Sequence, residues 1–129
     1  MKLLLDTNVL LWAANGDLKP EIVNFINSDE NTVFYSTVSI WEIVIKRGLG
    51  RPDLIVDPYK LTDKLCDVGY RRVDIKEDHI LAVGGLPLFH NDPFDRLLIA
   101  QAAYERMTLL SSDSFIAQYQ ISLINVSRA

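Results

Sequence analysis

Residues 2–11 read KLLLDTNVLL: a short apolar run, Leu3–Leu5, stops at Asp6-Thr7-Asn8, and hydrophobicity then resumes. An unbroken apolar run of this length between turn-forming residues describes a strand covered on both faces, as in a parallel sheet. Asp6 then falls at the carboxyl end of that strand, the edge where open α/β sheets hold their ligands. A carboxylate fixed there by a buried strand is either a costly structural choice or a functional one.

The segments beyond it alternate in type. Val9–Ala14 predicts a short helix stopped by Asn15-Gly16, and Pro20 marks the first turn of a helix over Glu21–Asn27 with Ile22, Phe25 and Ile26 on one face. Thr32–Tyr35 is β-branched and aromatic, a second strand. Ser36–Ser39 then offers several N-caps for a helix that carries Trp41, Val44 and Ile45 to Arg47, with Gly48 and Gly50 as stops. After the connection Arg51–Asp57, Pro58 opens a helix to about Val68, Tyr70–Ile75 is a third strand, and Glu77–Val83 is a helix ending at Gly84-Gly85. Pro93 closes the loop Leu86–Asp92 and precedes the best-patterned helix, Phe94–Arg106. Met107–Leu110 is a fourth strand, Ser111-Ser112-Asp113 caps a short helix to about Tyr119, and Ile121–Ile124 is a last strand. Strands alternating with helices give right-handed βαβ units, so the expected fold class is α/β, with a mainly parallel sheet and helices on both faces.

Composition narrows the setting. The 129 residues are 49% hydrophobic and 23% charged, ordinary for one globular domain spanning residues 1–129. No apolar segment approaches the roughly 20 residues that cross a bilayer, and the run before Asp6 is too short for a signal peptide. The single cysteine, Cys66, cannot form an internal disulfide; it suits a reducing cytoplasm and reads as a core filler. Net charge is −4, whereas a protein gripping nucleic acid through phosphates alone is usually basic. A nucleic-acid partner would therefore need positive charge from outside the chain, such as a metal ion.

Parallel strands end on the same edge of the sheet, which gathers residues distant in sequence. Asp6 follows the first strand, Glu42 lies early in the helix after the second, Asp95 lies in the first turn of the helix leading to the fourth, and Asp113 follows the fourth. Each has an ordinary explanation. Asp6 suits a turn residue bonding nearby amides. Glu42 suits an i, i+4 partner of Lys46. Asp95 suits the helix dipole behind an Asp92 cap, and Asp113 suits an N-cap. Jointly, however, they crowd like charges at one edge, and crowded carboxylates either hold protons or bind a cation. An all-oxygen site suits Mg²⁺ or Mn²⁺, ions that activate water and stabilise the departing oxygen in phosphodiester cleavage. The chain has no GxxxxGK[ST] or GxGxxG phosphate loop and no GxSxG elbow, and His79 and His90 lack neighbours at metal-ligand spacing. His79 is expected on a helix surface and His90 beside the site.

Four blocks together resemble the PIN domain family, in the form of VapC-type ribonuclease toxins of bacterial toxin–antitoxin modules. They are LLLDTNVLLW at residues 3–12, Ser36–Ile43, HNDPFDRLLIAQA at His90–Ala102 and LLSSDSFI at Leu109–Ile116. The resemblance implies a three-layer α/β/α sandwich and a Mg²⁺- or Mn²⁺-dependent endoribonuclease whose metal-holding, catalytic acids map onto Asp6, Glu42, Asp95 and Asp113. It further implies supporting roles for Asn8 and Ser111, with Asp92 as a helix cap, a homodimer, and inhibition by a small antitoxin partner. Lys46, Arg47 and Arg51 are candidate RNA phosphate contacts, or merely cations suited to a helix end. Arg96 either offsets the acids or forms a surface pair, and Trp12 and Trp41 are expected in the core or a dimer contact rather than stacked on bases. Two other readings are open: a non-catalytic module docking a basic partner in the acidic cleft, and a phosphatase using Asp6 as nucleophile.

Overall fold

The computed structural model describes residues 1–50 and 56–129. Five strands, β1 (Lys2–Leu5), β2 (Thr32–Ser36), β3 (Arg71–Val73), β4 (Thr108–Ser111) and β5 (Leu123–Asn125), form one sheet in the order β3-β2-β1-β4-β5. Every pairing is parallel, so the expected mainly parallel sheet is wholly so. Among the described residues, six α-helices lie between β1 and β4: α1 (Thr7–Asn15), α2 (Pro20–Ile26), α3 (Thr37–Gly48), α4 (Pro58–Asp67), α5 (Glu77–Val83) and α6 (Pro93–Tyr104). The short helix expected after Asp113 is a single 3₁₀ turn, Ile116–Gln118.

The period-2 alternation of a strand sends neighbouring side chains to opposite faces, and this builds two cores. Leu3 and Leu5, with Val33, Tyr35 and Leu110, join Val9 and Leu10 of α1, Ile26 of α2, Ile43 of α3, and Leu61 and Leu65 of α4. Leu4 and Leu109 face the other way, onto Leu97, Leu98, Ile99 and Ala102 of α6. The sheet is thus covered on both faces, the layering of an α/β/α sandwich. Helix α6 is buried continuously from Arg96 to Ala102, which explains why its sequence is apolar around much of its circumference.

The topology decides where a site can form. From β1 the chain moves outward to β2 and β3, then crosses back to β4 on the other side of β1. The connections after β1 and after β4 therefore diverge at their carboxyl ends, the switch point at which open α/β sheets bind ligands. Among the described residues, no helix is long and apolar enough to cross a membrane.

Candidate active site

Asp6 stands at that switch point. Its backbone N–H donates to Leu110 O at 3.0 Å, extending the β1–β4 ladder by one step. Its carboxylate caps α1 by accepting from Val9 N at 2.9 Å, and the Ser111 hydroxyl steadies its charged form. The turn role is real, but the residue is only 4% exposed, so it is no solvated turn. Burial, opposed by the Ser111 and Val9 hydrogen bonds and assisted by Glu42 and Asp113, pushes its pKa up to about 6.

Glu42 is equally buried on α3. Thr7 Oγ1 lies 2.6 Å from its Oε1 and 3.0 Å from Ser39 Oγ, and Lys46 pairs with its Oε2. Lys46 is thereby committed to an acid of the site. Arg47 lies 3.8 Å from Asp57 on the surface, and Arg51 lies outside the described residues. Asn8 is exposed, and Glu42 is supported by Thr7, which Ser39 in turn contacts, two residues absent from the sequence expectations. Ser39 had a signal: it precedes Glu42 by three residues and so shares its helix face.

Asp95 occupies the first turn of α6. Asp92 caps that helix, accepting from Phe94 N at 2.9 Å and Asp95 N at 3.0 Å, as its spacing predicts. Burial first, then the negative charges of Asp92, Asp6, Glu42 and Asp113, pushes the Asp95 pKa up to about 8. Asp113 follows β4; its N–H donates to Ser111 Oγ at 3.0 Å, and one carboxylate oxygen accepts from Phe115 N at 2.9 Å. One donor atom each from His90, Asp95 and Asp113 lies within 4.8 Å of the others. Asp6 and Glu42 stand outside that cluster of donor atoms, but their charges act on Asp95 with that of Asp113, so the four acids are electrostatically one group, with His90 at its rim as expected.

Three expectations fail. Arg96 is buried and neither offsets the acids nor forms a surface pair. Its guanidinium donates to Pro87 O at 2.8 Å, the Tyr119 hydroxyl at 3.0 Å and the Leu86 carbonyl at 3.4 Å, fastening the loop before α6. His79 is completely buried rather than on a helix surface, because Glu105, Gln101 and the backbone of Lys76 satisfy its ring. Cys66 is exposed, since Leu61 and Leu65 take the buried face of α4 and the next residue turns about 100° away from it. Trp41 is half exposed, its ring edge-on to Phe94 at a centroid distance of 5.0 Å.

The family model for the PIN domain matches residues 3–121. The chain belongs to the PIN domain family. No curated protein matches it in sequence. Several solved structures share the PIN fold over nearly the whole chain. A VapBC2 structure from Rickettsia felis, bound to a promoter DNA fragment, superposes with a TM-score of 0.77 at 16% identity, covering 98% of this chain and 100% of that one. DNA-bound VapBC from Salmonella typhimurium gives 0.68 at 13% identity, covering 97% and 98%. A toxin–antitoxin complex from Klebsiella pneumoniae gives 0.65 at 15% identity, covering 95% and 96%. This PIN domain therefore shares its fold with structures whose pairwise identity to it is only 13–16%.

Proposed function

We propose that this chain is the toxin of a toxin–antitoxin pair, an endoribonuclease that uses a divalent ion, Mg²⁺ or Mn²⁺, bound by Asp6, Glu42, Asp95 and Asp113. The observation that carries the reading is a cluster at one edge of the sheet: donor atoms of Asp95 and Asp113 lie within 4.8 Å of each other, and the charges of Asp6, Glu42 and Asp113 add to burial in raising the Asp95 pKa to about 8. Structural carboxylates alone would gain nothing from such mutual repulsion. A cation relieves it, and hard oxygen donors suit Mg²⁺ and Mn²⁺.

When bound, such an ion supplies Lewis-acid activation of water and of the scissile phosphate. The protein's part is to aim the donors. The β1–β4 ladder and the α1 cap fix Asp6, Thr7 backed by Ser39 fixes Glu42, and the Asp92 cap sets the turn from which Asp95 projects. Lys46 reduces the net negative charge that an incoming polyanion meets. PIN family membership and fold neighbours that include VapBC and other toxin–antitoxin complexes support the toxin reading and an antitoxin partner. RNA as substrate, a homodimer and a cytoplasmic setting complete the proposal.

The test is cleavage of cellular RNA by purified protein. Activity is expected to be abolished by a chelator, restored by Mn²⁺ and absent from Asp6→Asn. Full cleavage by Asp6→Asn, or cleavage indifferent to chelation, would overturn the assignment.

A further inference from the structure

The two ring nitrogens of His90 face different surroundings. Nδ1 lies 2.9 Å from the Tyr119 hydroxyl, whose oxygen accepts from Arg96 Nη1 at 3.0 Å. The ring stacks on Phe115, with 7° between planes and 6.2 Å between centroids, and meets Tyr119 edge-on. Its side chain is 11% exposed, and Nε2 is buried without a hydrogen-bond partner. Nε2 points at the acids, 3.6 Å from Asp95 Oδ2, beyond the reach of a hydrogen bond. A polar atom buried without a partner costs free energy, so its placement needs a reason.

We infer that His90 is itself a ligand of the ion, so that the site is mixed nitrogen and oxygen rather than all oxygen. This rests on the metal reading above and adds a residue to it. With Nδ1–H donating to the Tyr119 hydroxyl, the neutral ring presents the Nε2 lone pair to the acids. A partner that accepts from the other ring nitrogen is the usual support of a metal-binding histidine. The geometry is close to what an ion needs. Ligands about 2.1 Å from an ion stand roughly 3.0 Å apart when adjacent and about 4.2 Å apart when opposite. Donor atoms of His90, Asp95 and Asp113 lie within 4.8 Å of one another, a separation of that order. An imidazole ligand favours Mn²⁺ and later transition ions over Mg²⁺, which prefers oxygen and water.

The test is pulsed electron paramagnetic resonance on the full chain loaded with MnCl₂, together with calorimetric titration of Mn²⁺ and Mg²⁺. His79 and His90 are the only histidines of the sequence, so the source of a nitrogen signal can be assigned. The expected result is coupling from a directly bound imidazole nitrogen in the unaltered chain and in His79→Gln, and its loss in His90→Gln. His90→Gln should also weaken Mn²⁺ binding roughly tenfold or more while changing Mg²⁺ binding less than about threefold. Bound Mn²⁺ with no nitrogen coupling in the unaltered chain overturns the inference and leaves the carboxylate site standing. Coupling that persists in His90→Gln or is lost in folded His79→Gln overturns it as well. A protein that binds no Mn²⁺ overturns the metal reading itself. Should His90→Gln fail to fold, the spectra of the unaltered chain and of His79→Gln still decide.

Discussion

Asp95 bears the heaviest electrostatic load of any residue in the site. Its pKa is raised from 3.8 to about 8, so the folded protein holds this proton more tightly than the unfolded chain. The contribution to stability is complete below pH 4 and is lost as pH rises to about 8. Asp95→Asn should therefore stabilise the metal-free protein by roughly 1–3 kcal/mol at pH 8–9, after discounting for partial exposure, with the difference shrinking towards pH 4. Denaturant titrations across that range check it, and a variant that is less stable at pH 8 would sink the repulsion argument. Thr7 is the opposite case, a residue that relieves strain in the site. Thr7→Val keeps the shape but leaves buried Glu42 Oε1 and Ser39 Oγ short of a partner, a loss of about 1–3 kcal/mol readable as a lower urea midpoint.

Among the elements, α6 matters most to the site, because one turn of it carries the Asp92 cap, Asp95 and the Arg96 fastening. The two roles of Asp92 separate by substitution. Asp92→Ala removes the cap and should lower stability by about 0.5–2 kcal/mol. Asp92→Asn keeps the cap, removes a charge that raises the Asp95 pKa, and should leave the metal-free protein at least as stable as the parent at pH 8. Thermal melts of the two variants side by side check the pair. Helix α5 shows where pattern reading fails. It buries His79 and leaves Ile80 and Leu81 at 56% and 67% exposure, the reverse of what hydrophobicity predicts. Partners 22 and 26 residues away, Gln101 and Glu105, make the buried ring affordable, and local sequence carries no trace of them.

For the whole molecule, the proposed metal would compete with protons for one charge cluster. Asp6 and Asp95, with pKa values of about 6 and 8 in the metal-free protein, must both lose protons to act as ligands. Binding of Mn²⁺ should release protons and tighten by roughly tenfold or more between pH 6 and 8. The rise in melting temperature at fixed Mn²⁺ should then be larger at pH 8 than at pH 6. Calorimetry in buffers of different ionisation enthalpy measures the release directly, and a pH-independent affinity would contradict the shared site. The metal-free protein itself should lose stability from pH 4 to 8, and saturating metal should reverse that trend.

The fold class was legible because its signal is local. Leu3–Leu5 ending at Asp6, β-branched runs alternating with capped amphipathic helices, and Asp113 placed after the fourth strand all follow from periodicity and turn chemistry. Asp6 and Asp113 were legible as candidates for the same reason, since parallel strands bring their carboxyl ends to one edge, whereas Asp95, in a helix 22 residues past β3, was placed with them by its sequence block. Only tertiary packing decided which polar groups are buried and against what. Lys46 on Glu42, Thr7 beneath it, Arg96 turned back onto the loop before α6, and His79 sealed under Gln101 and Glu105 depend on contacts between elements far apart in sequence. The same holds for the orphaned nitrogen of His90. Burial sets the desolvation that moves a pKa and leaves an atom unpartnered, and burial belongs to the assembled molecule rather than to any segment of it.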